Sequence, residues 1–207
     1  VSADELFARR EAGTRAPFAL PGRIILAGGT ALQRVDSRNV VGRLPGSNPA
    51  LAGEHIAYTA HLDHLGLGAE VAGDGVYNGA LDNAVGVAVM LEAATELAAD
   101  ARRPGRSSLF IAVTAEERGL LGADYFARFP TVPRKSLVAN INMDMPVLLA
   151  EVNDVVPIGI QHSSLEADVT AAARELGMGL TPEPMPEEVL FVRSDQFAFV
   201  RQGIPAV

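Results

Sequence analysis

Three long apolar runs place the strongest constraint on how this chain can fold. They are IAYTA at 56–60, SLFIAVT at 108–114 and LVANINM at 137–143. Nearly continuous apolar runs of this length are typical of strands that are covered on both faces, as in parallel sheets flanked by helices. We therefore predict an α/β fold, a three-layer sandwich with a largely parallel, mixed central sheet.

The segments between these runs complete the predicted element order. Strands are predicted at 39–44, 55–61, 108–114, 137–143 and 155–160, and helices at 83–99, 118–129, 164–177 and 194–202. The first 35 residues are less regular: Ser2 and Glu5 form a capping-box pattern for a short helix, and residues 23–27 resemble a short strand. We interpret 1–35 as a connector or edge segment and 36–207 as the main domain.

Composition narrows the classes of function. The chain has 25 acidic and 17 basic residues, a net charge of −8, and no cluster of Lys and Arg, which argues against nucleic acid as a partner. No apolar run reaches the ~18 residues that span a bilayer, so we predict no membrane contact. The sequence contains no cysteine. Any bound metal must therefore be held by His and carboxylate side chains.

Ionisable residues follow the predicted strands and precede the first long helix. Carboxyl ends of parallel strands meet at one edge of a sheet, so these residues should converge there. Several carboxylates so close together would repel one another unless a cation lay among them. One His with several carboxylates suits zinc, and a pair of zinc ions can serve hydrolysis. The residues are His61, Asp63, Asp82, Glu116, Glu117 and Asp144.

The spacing of these residues in the sequence suggests a different role for each of them. Asp63 lies two residues after His61, so in an extended chain both side chains share a face and the carboxylate can orient the imidazole. His64 would then point to the opposite face, where we expect a packing or hydrogen-bonding role. Glu116 and Glu117 are adjacent and cannot face one metal in the same way. One of them should be a ligand and the other a general base.

Four motifs follow one another along the chain: His61-x-Asp63, residues 79–84 with Gly86, Glu116-Glu117 and residues 142–145. Together they resemble the co-catalytic zinc aminopeptidase family that also contains glutamate carboxypeptidase II. The resemblance runs from about residue 37 to the end and also includes residues 193–195 and 203–205. It implies that Asp82 bridges two zinc ions, that His61 and Asp144 complete one site, and that Glu117 belongs to the other.

The resemblance implies several further features. Glu116 would be the general base that takes a proton from metal-bound water, and the peptide between Asp82 and Asn83 would be cis. The fifth ligand would be a His beyond Val207, so the second site is incomplete in this sequence. His162 can be proposed as a substitute, but it fits the ordinary sequence of the family at its position. Leu81 stands where the family often has Asp, a change that we expect to alter only an outer contact.

The expected domain organisation and compartment also follow from the resemblance. Residues 36–207 would be a metallopeptidase catalytic domain that is truncated at its C-terminal end. Residues 1–35 would follow a protease-associated insertion that lies upstream in the parent protein. The family analogy favours a secreted or periplasmic parent.

The expected function is a zinc-dependent exopeptidase, an aminopeptidase that hydrolyses N-terminal residues from peptide substrates through a metal-bound hydroxide. Three alternatives remain: a carboxypeptidase of the glutamate carboxypeptidase type, a relative of glutaminyl cyclase, or a domain that binds without catalysis, as in transferrin receptor. A carboxypeptidase needs a basic pocket for a free carboxylate, for which Arg193 and Arg201 are the candidates.

Overall fold

A computed structural model describes residues 2–13, 23 and 25–207, which divide into two compact units, Val1–Val35 and Asp36–Val207. The first unit contains helix α1 (Ala3–Glu11), and its predicted capping box is present. The Ser2 hydroxyl accepts a hydrogen bond from the Glu5 N–H at 3.2 Å, and the Glu5 carboxylate accepts one from the Ser2 N–H at 2.8 Å. The strand predicted at 23–27 is wrong for residues 23 and 25–27, which form none; Ile24 lies outside the described residues.

The second unit is built on a four-stranded sheet whose strands lie in the order β1 (Val40–Leu44), β5 (Ser107–Val113), β2 (His55–His61) and β6 (Leu137–Asn142). Strand β2 pairs in parallel with both β5 and β6, whereas β1 pairs antiparallel with β5 at the edge. Ala206 continues the sheet beyond β6 through a parallel bridge to Asn140. The predicted mixed, largely parallel sheet is therefore confirmed. The remaining strands of this unit are β3 (Gly66–Val71), β4 (Asp74–Tyr77), β7 (Asp154–Val155) and β8 (Gly179–Leu180).

Helices cover both faces of this sheet, which gives the predicted three layers. Helix α2 (Val85–Ala99) packs on one face through side chains spaced three and four residues apart, including Val87, Met90 and Ala94. On the same face Tyr58 stacks on Phe110 with a ring separation of 5.2 Å. The other face is covered by the helices that carry the buried Phe126 and Phe199. The helices are α2 (Val85–Ala99), α3 (Leu121–Arg128), α4 (Glu166–Glu175) and α5 (Gln196–Val200).

Two parts of the fold differ from the sequence-based expectation. The strand predicted at 155–160 is wrong: β7 is only two residues long and pairs with β8, outside the main sheet. Pro157 lies two residues after β7 and cannot donate a ladder hydrogen bond. The exposed hairpin β3–β4 was not predicted. Among the described residues, no helix combines the length and apolarity needed to cross a bilayer.

Candidate metal centre

The carboxyl edge of the sheet brings together the ionisable residues that were selected from the sequence. His61 ends strand β2 and is only 1% exposed, and Asp144 follows β6 by two residues. Glu116 and Glu117 lie between β5 and α3. Asp82 lies in the segment Ala80–Ala84 that leads into α2, at a point where the backbone is not helical (φ −116°, ψ 92°). The convergence predicted from parallel strand ends is therefore present in the structure.

The first cluster consists of His61, Asp82 and Asp144. His61 Nε2 lies 3.1 Å from Asp82 Oδ1 and 3.4 Å from Asp144 Oδ1. The second oxygen of Asp144 accepts a hydrogen bond from the Ser194 hydroxyl at 2.9 Å. The first oxygen of Asp144 is buried and has no hydrogen-bond partner.

In the first cluster, the pKa of His61 and the pKa of Asp144 each depend on the charge of the other residue. Burial alone would lower the pKa of His61, but the adjacent Asp144 carboxylate outweighs it and raises the pKa of His61 to about 9. For Asp144, burial alone would raise the pKa. Its contacts with His61 and Ser194 outweigh burial and hold that pKa below its usual value. In the metal-free protein the cluster thus holds a protonated imidazole against an ionised carboxylate at neutral pH.

The second cluster consists of His64, Asp82 and Glu117. His64 Nδ1 lies 2.7 Å from Glu117 Oε1 and 3.8 Å from Asp82 Oδ2. The expectation that His64 points to the opposite face is wrong. Strand β2 ends at His61, so the alternation of side chains along a strand no longer governs His64. Asp82 presents one oxygen to each cluster, the arrangement that a bridging ligand needs.

Asp63 orients His61 by a different atom from the one predicted. The backbone carbonyl of Asp63 accepts the hydrogen bond from His61 Nδ1 at 3.0 Å. The Asp63 carboxylate lies 4.0 Å from that nitrogen and instead accepts a hydrogen bond from the Glu116 N–H at 3.2 Å. Strand β2 ends at His61, so the extended-chain geometry on which the prediction rested does not continue to Asp63. The catalytic role of Asp63 stays a prediction.

Asn83 ties together the two loops that carry Asp82 and Asp144. Its amide donates a hydrogen bond to the Met143 carbonyl at 2.9 Å. Its side-chain oxygen accepts from the Gly86 N–H at 3.1 Å and from the Met145 N–H at 3.2 Å. The side chain is buried, and the peptide between Asp82 and Asn83 is cis, as the resemblance implies.

The sequence model of Peptidase family M28 matches residues 39–207. The chain belongs to this family. The match confirms the resemblance that rests on the motifs around His61, Asp82, Glu116 and Asp144.

Solved structures of similar fold include two bacterial aminopeptidases. BSAP, a zinc aminopeptidase from Bacillus subtilis, is 26% identical with a TM-score of 0.59, covering 81% of this chain and 38% of that chain. An aminopeptidase from Aneurinibacillus sp. strain AM-1 is 26% identical with a TM-score of 0.58, covering 81% of this chain and 37% of that chain. This M28 chain therefore spans less than two thirds of either relative. No curated protein matches it significantly.

A glutaminyl cyclase from Porphyromonas gingivalis shares the fold at 19% identity. Its TM-score is 0.59, and the alignment covers 82% of this chain and 61% of that chain. At this identity the similarity shows the fold alone.

The residues present in this M28 chain fit zinc. Three buried atoms of the two clusters lack a hydrogen-bond partner: Asp144 Oδ1, Glu117 Oε1 and His64 Nδ1. Buried polar atoms are ordinarily paired. Asp144 Oδ1 has no hydrogen bond, and His64 Nδ1 meets Glu117 Oε1 at 2.7 Å outside hydrogen-bond geometry, so a cation would find oxygen and nitrogen donors at both clusters. Imidazole nitrogen with carboxylate oxygen is a donor set that zinc accepts, and the chain has no thiolate to offer.

Glu116 lies beside these clusters, at one wall of a pocket of about 440 Å³. Burial raises the pKa of Glu116 to about 7, and the negative charges of Asp144, Glu117 and Asp82 oppose the lowering effect of His61. A carboxyl group with a pKa near neutrality is suited to exchange protons. The pocket is lined by Glu116, Glu117, Gly119, Leu120, Val192, Arg193, Phe197 and Arg201.

Two residues near the clusters were not predicted as parts of the site. Ser194 holds Asp144, and Asp195 is fully buried with both carboxylate oxygens unpaired. Burial raises the pKa of Asp195 to about 8. Their place in the motif at 193–195 is the sequence signal for them. His162, considered as a substitute ligand, lies in neither cluster; it is exposed and packs against Phe191 with a ring separation of 4.9 Å.

Proposed function

We propose that this chain is the catalytic part of a zinc-dependent exopeptidase, an aminopeptidase that removes N-terminal residues from peptides. The observation that carries the proposal is the position of Asp82, which presents one oxygen to each of two metal-ligand clusters beside Glu116. Membership of family M28 and the similarity to zinc aminopeptidases support it.

The side chains divide into holding and reacting groups. His61, Asp82 and Asp144 would hold one zinc, and Asp82 with Glu117 would hold part of a second. Zinc bound there supplies Lewis acidity, which polarises a peptide carbonyl and lowers the pKa of water. Glu116 would take the proton of the attacking water and return it to the leaving amine.

Neighbouring contacts would position these groups. The Asp63 carboxylate holds the backbone of Glu116, while its carbonyl holds the imidazole of His61. Asn83 keeps the loop of Asp82 next to the loop of Asp144 through its bonds to Met143 and Met145. A site rich in carboxylates favours a substrate with a free α-ammonium group, which is the group that an aminopeptidase recognises.

The test is Glu116→Gln, assayed with Leu-p-nitroanilide together with the zinc content per chain. We expect kcat to fall by about 10²- to 10⁴-fold, as for the loss of a general base, while the zinc content is unchanged. Glu175→Gln, an exposed position on α4, is the matched control and should keep full activity. Full activity in Glu116→Gln would contradict the assignment. Zinc content is measured for the given sequence and for a form extended past Val207. Absence of zinc from both would contradict the whole proposal.

A carboxypeptidase is the second candidate, because the pocket beside Glu116 contains two arginines. The side chains of Arg193 and Arg201 are 62% and 50% exposed. Each has an acidic neighbour at 3.4 Å, Glu188 and Asp124 respectively. A guanidinium has five N–H donors, so one neighbour leaves donors for a substrate carboxylate.

Two substrates separate the candidates. A peptide with a blocked N-terminus and a free carboxylate should be cleaved by a carboxypeptidase, whereas Leu-p-nitroanilide should be cleaved by an aminopeptidase. We expect cleavage of the second only. The reverse result, with loss of activity in Arg193→Ala, would favour the carboxypeptidase.

A further inference from the structure

We infer that Gln196 is a positioning residue for the first cluster: it holds Ser194 against Asp144 and so fixes which carboxylate oxygen Asp144 presents to a metal. The inference rests on the proposed zinc-dependent function and deepens it. The side-chain oxygen of Gln196 accepts its hydrogen bond from Asn142, which is not a member of either cluster. Gln196 would therefore act on the metal only through other side chains.

Two side-chain hydrogen bonds connect the start of helix α5 with the end of strand β6. The Asn142 amide donates to Gln196 Oε1 at 3.1 Å. The Ser194 hydroxyl donates to Asp144 Oδ2 at 2.9 Å. Ser194 precedes Gln196 by two residues, and Asp144 follows Asn142 by two. The first bond therefore fixes the distance between helix and strand next to the point where the second bond must form.

The bond from Ser194 decides which oxygen of Asp144 faces the cluster. Oδ2 is occupied by the hydroxyl. Oδ1 lies 3.4 Å from His61 Nε2, and it is buried without a hydrogen-bond partner. Carboxylates that bind metals are commonly held by a hydrogen bond in this way, and the partner orients the free oxygen toward the metal. Displacement of Ser194 would release Asp144 from this orientation.

Gln196 is itself held by a chain of buried side chains. Asn142 Oδ1 accepts a hydrogen bond from the Thr59 hydroxyl at 2.7 Å, and Thr59 Oγ1 accepts one from the Asn140 amide at 2.9 Å. Thr59, Asn140 and Gln196 are each no more than 2% exposed. Breaking one bond of such a chain leaves a buried partner unpaired, which costs more than the bond itself contributes. The chain therefore resists movement of Gln196.

The hydrogen-bonded chain lies on the sheet face that carries His61. Thr59 pairs in register with Asn142 between β2 and β6, and it precedes His61 by two residues. Side chains two residues apart in a strand point to the same face. Ala57 and Phe199 belong to one hydrophobic core, so α5 packs on this face as well. The chain thus joins the three elements that carry His61, Asp144 and the residue that holds Asp144.

The decisive experiment combines Gln196→Met with Ser194→Ala and measures zinc affinity by competition with a chelator. Methionine keeps the length of the buried side chain and removes its hydrogen bond. We expect the affinity for one zinc to fall about 10- to 100-fold in Ser194→Ala and about tenfold in Gln196→Met, as for outer contacts of a metal site. Because Gln196 acts through Ser194, the double variant should lose no more than Ser194→Ala alone. Additive losses, or no loss in Gln196→Met, would overturn the inference.

Thr59 offers a matched pair that separates hydrogen bonding from packing. Thr59→Val keeps the shape of the side chain and removes the hydroxyl, whereas Thr59→Ser keeps the hydroxyl and removes a methyl group. We expect zinc affinity to fall about tenfold in Thr59→Val and much less in Thr59→Ser. The reverse order would show that Thr59 acts by packing, and it would overturn the inference.

A further control accounts for general loss of stability. Leu137→Ala removes a buried side chain at the opposite end of β6, outside the hydrogen-bonded chain, and should leave zinc affinity unchanged. A loss equal to that in Gln196→Met would overturn the inference. Zinc binding that none of these variants alters would refute the inference and leave the proposed function intact. Failure of the unaltered protein to bind zinc would refute the proposed function, and the inference with it.

Discussion

The Asp63 carboxylate accepts a hydrogen bond from the backbone N–H of Glu116 at 3.2 Å. The backbone carbonyl of the same Asp63 accepts a hydrogen bond from His61 Nδ1 at 3.0 Å. One residue therefore connects the candidate base to a candidate ligand, through two different atoms. The two contacts can be separated by substitution, because a side-chain change leaves the carbonyl in place.

Replacing Asp63 should lower activity without removing zinc. In Asp63→Ala the support for Glu116 is lost, and we expect kcat to fall about 10- to 100-fold, as for other outer contacts of a metal site. Asp63→Asn keeps an acceptor oxygen and should lose less. Steady-state kinetics and zinc analysis of both variants test this. If Asp63→Ala loses zinc in proportion to activity, the positioning role is wrong.

Zinc binding should release protons from His61. An imidazole must be neutral to bind a metal, and the pKa of His61 is raised to about 9 in the metal-free protein. Below pH 9 zinc must therefore displace a proton, so its apparent affinity should rise about tenfold per pH unit and level off above pH 9. Calorimetry in two buffers of different ionisation enthalpy counts the protons. No proton release at pH 8 would contradict the prediction.

His55 should make folding stability fall in mild acid. It is 5% exposed, its Nδ1 atom lies 3.0 Å from the Ser136 hydroxyl, and burial, with Arg43 nearby, lowers its pKa. The unfolded chain therefore binds a proton first as the pH falls below about 6.5, and stability decreases by at most about 1.4 kcal/mol per pH unit from this residue. Denaturant unfolding of wild type and His55→Asn between pH 7.5 and 5 measures it. Identical pH profiles would refute it.

Gly86→Ala should disturb the hydrogen bonds through which Asn83 links the loops of Asp82 and Asp144. A Cβ atom at this position would lie 2.1 Å from Asn83 Oδ1 and 2.5 Å from the Met143 carbonyl oxygen. We expect a loss of about 1–3 kcal/mol in the free energy of unfolding, typical of overpacking, together with weaker zinc binding. Gly53→Ala is the control, since its Cβ atom would meet nothing within 4 Å. Equal stability and zinc content in both variants would show that the position of Asn83 does not require the absence of a side chain at Gly86.

Local patterns predicted most of the central architecture. Strand β2 has the predicted bounds, and β5 and β6 lie within one residue of theirs, because continuous apolar runs need cover on both faces. The helix predicted at 164–177 is present but shorter, as Glu166–Glu175. The strand predicted at 155–160 failed because an apolar run of that length does not specify a partner strand. The hairpin β3–β4 lacks buried side chains, so it left no apolar signal.

The sequence by itself determined which residues converge, since parallel strands bring His61, Glu117 and Asp144 to one edge of the sheet. It did not determine which atoms meet. Only the tertiary structure showed that His64 lies against Glu117. It also showed that the imidazole of His61 donates its hydrogen bond to the Asp63 carbonyl and not to the Asp63 carboxylate. Side-chain alternation holds along a strand, but these residues lie just beyond β2, where loop contacts with partners distant in the sequence decide the geometry.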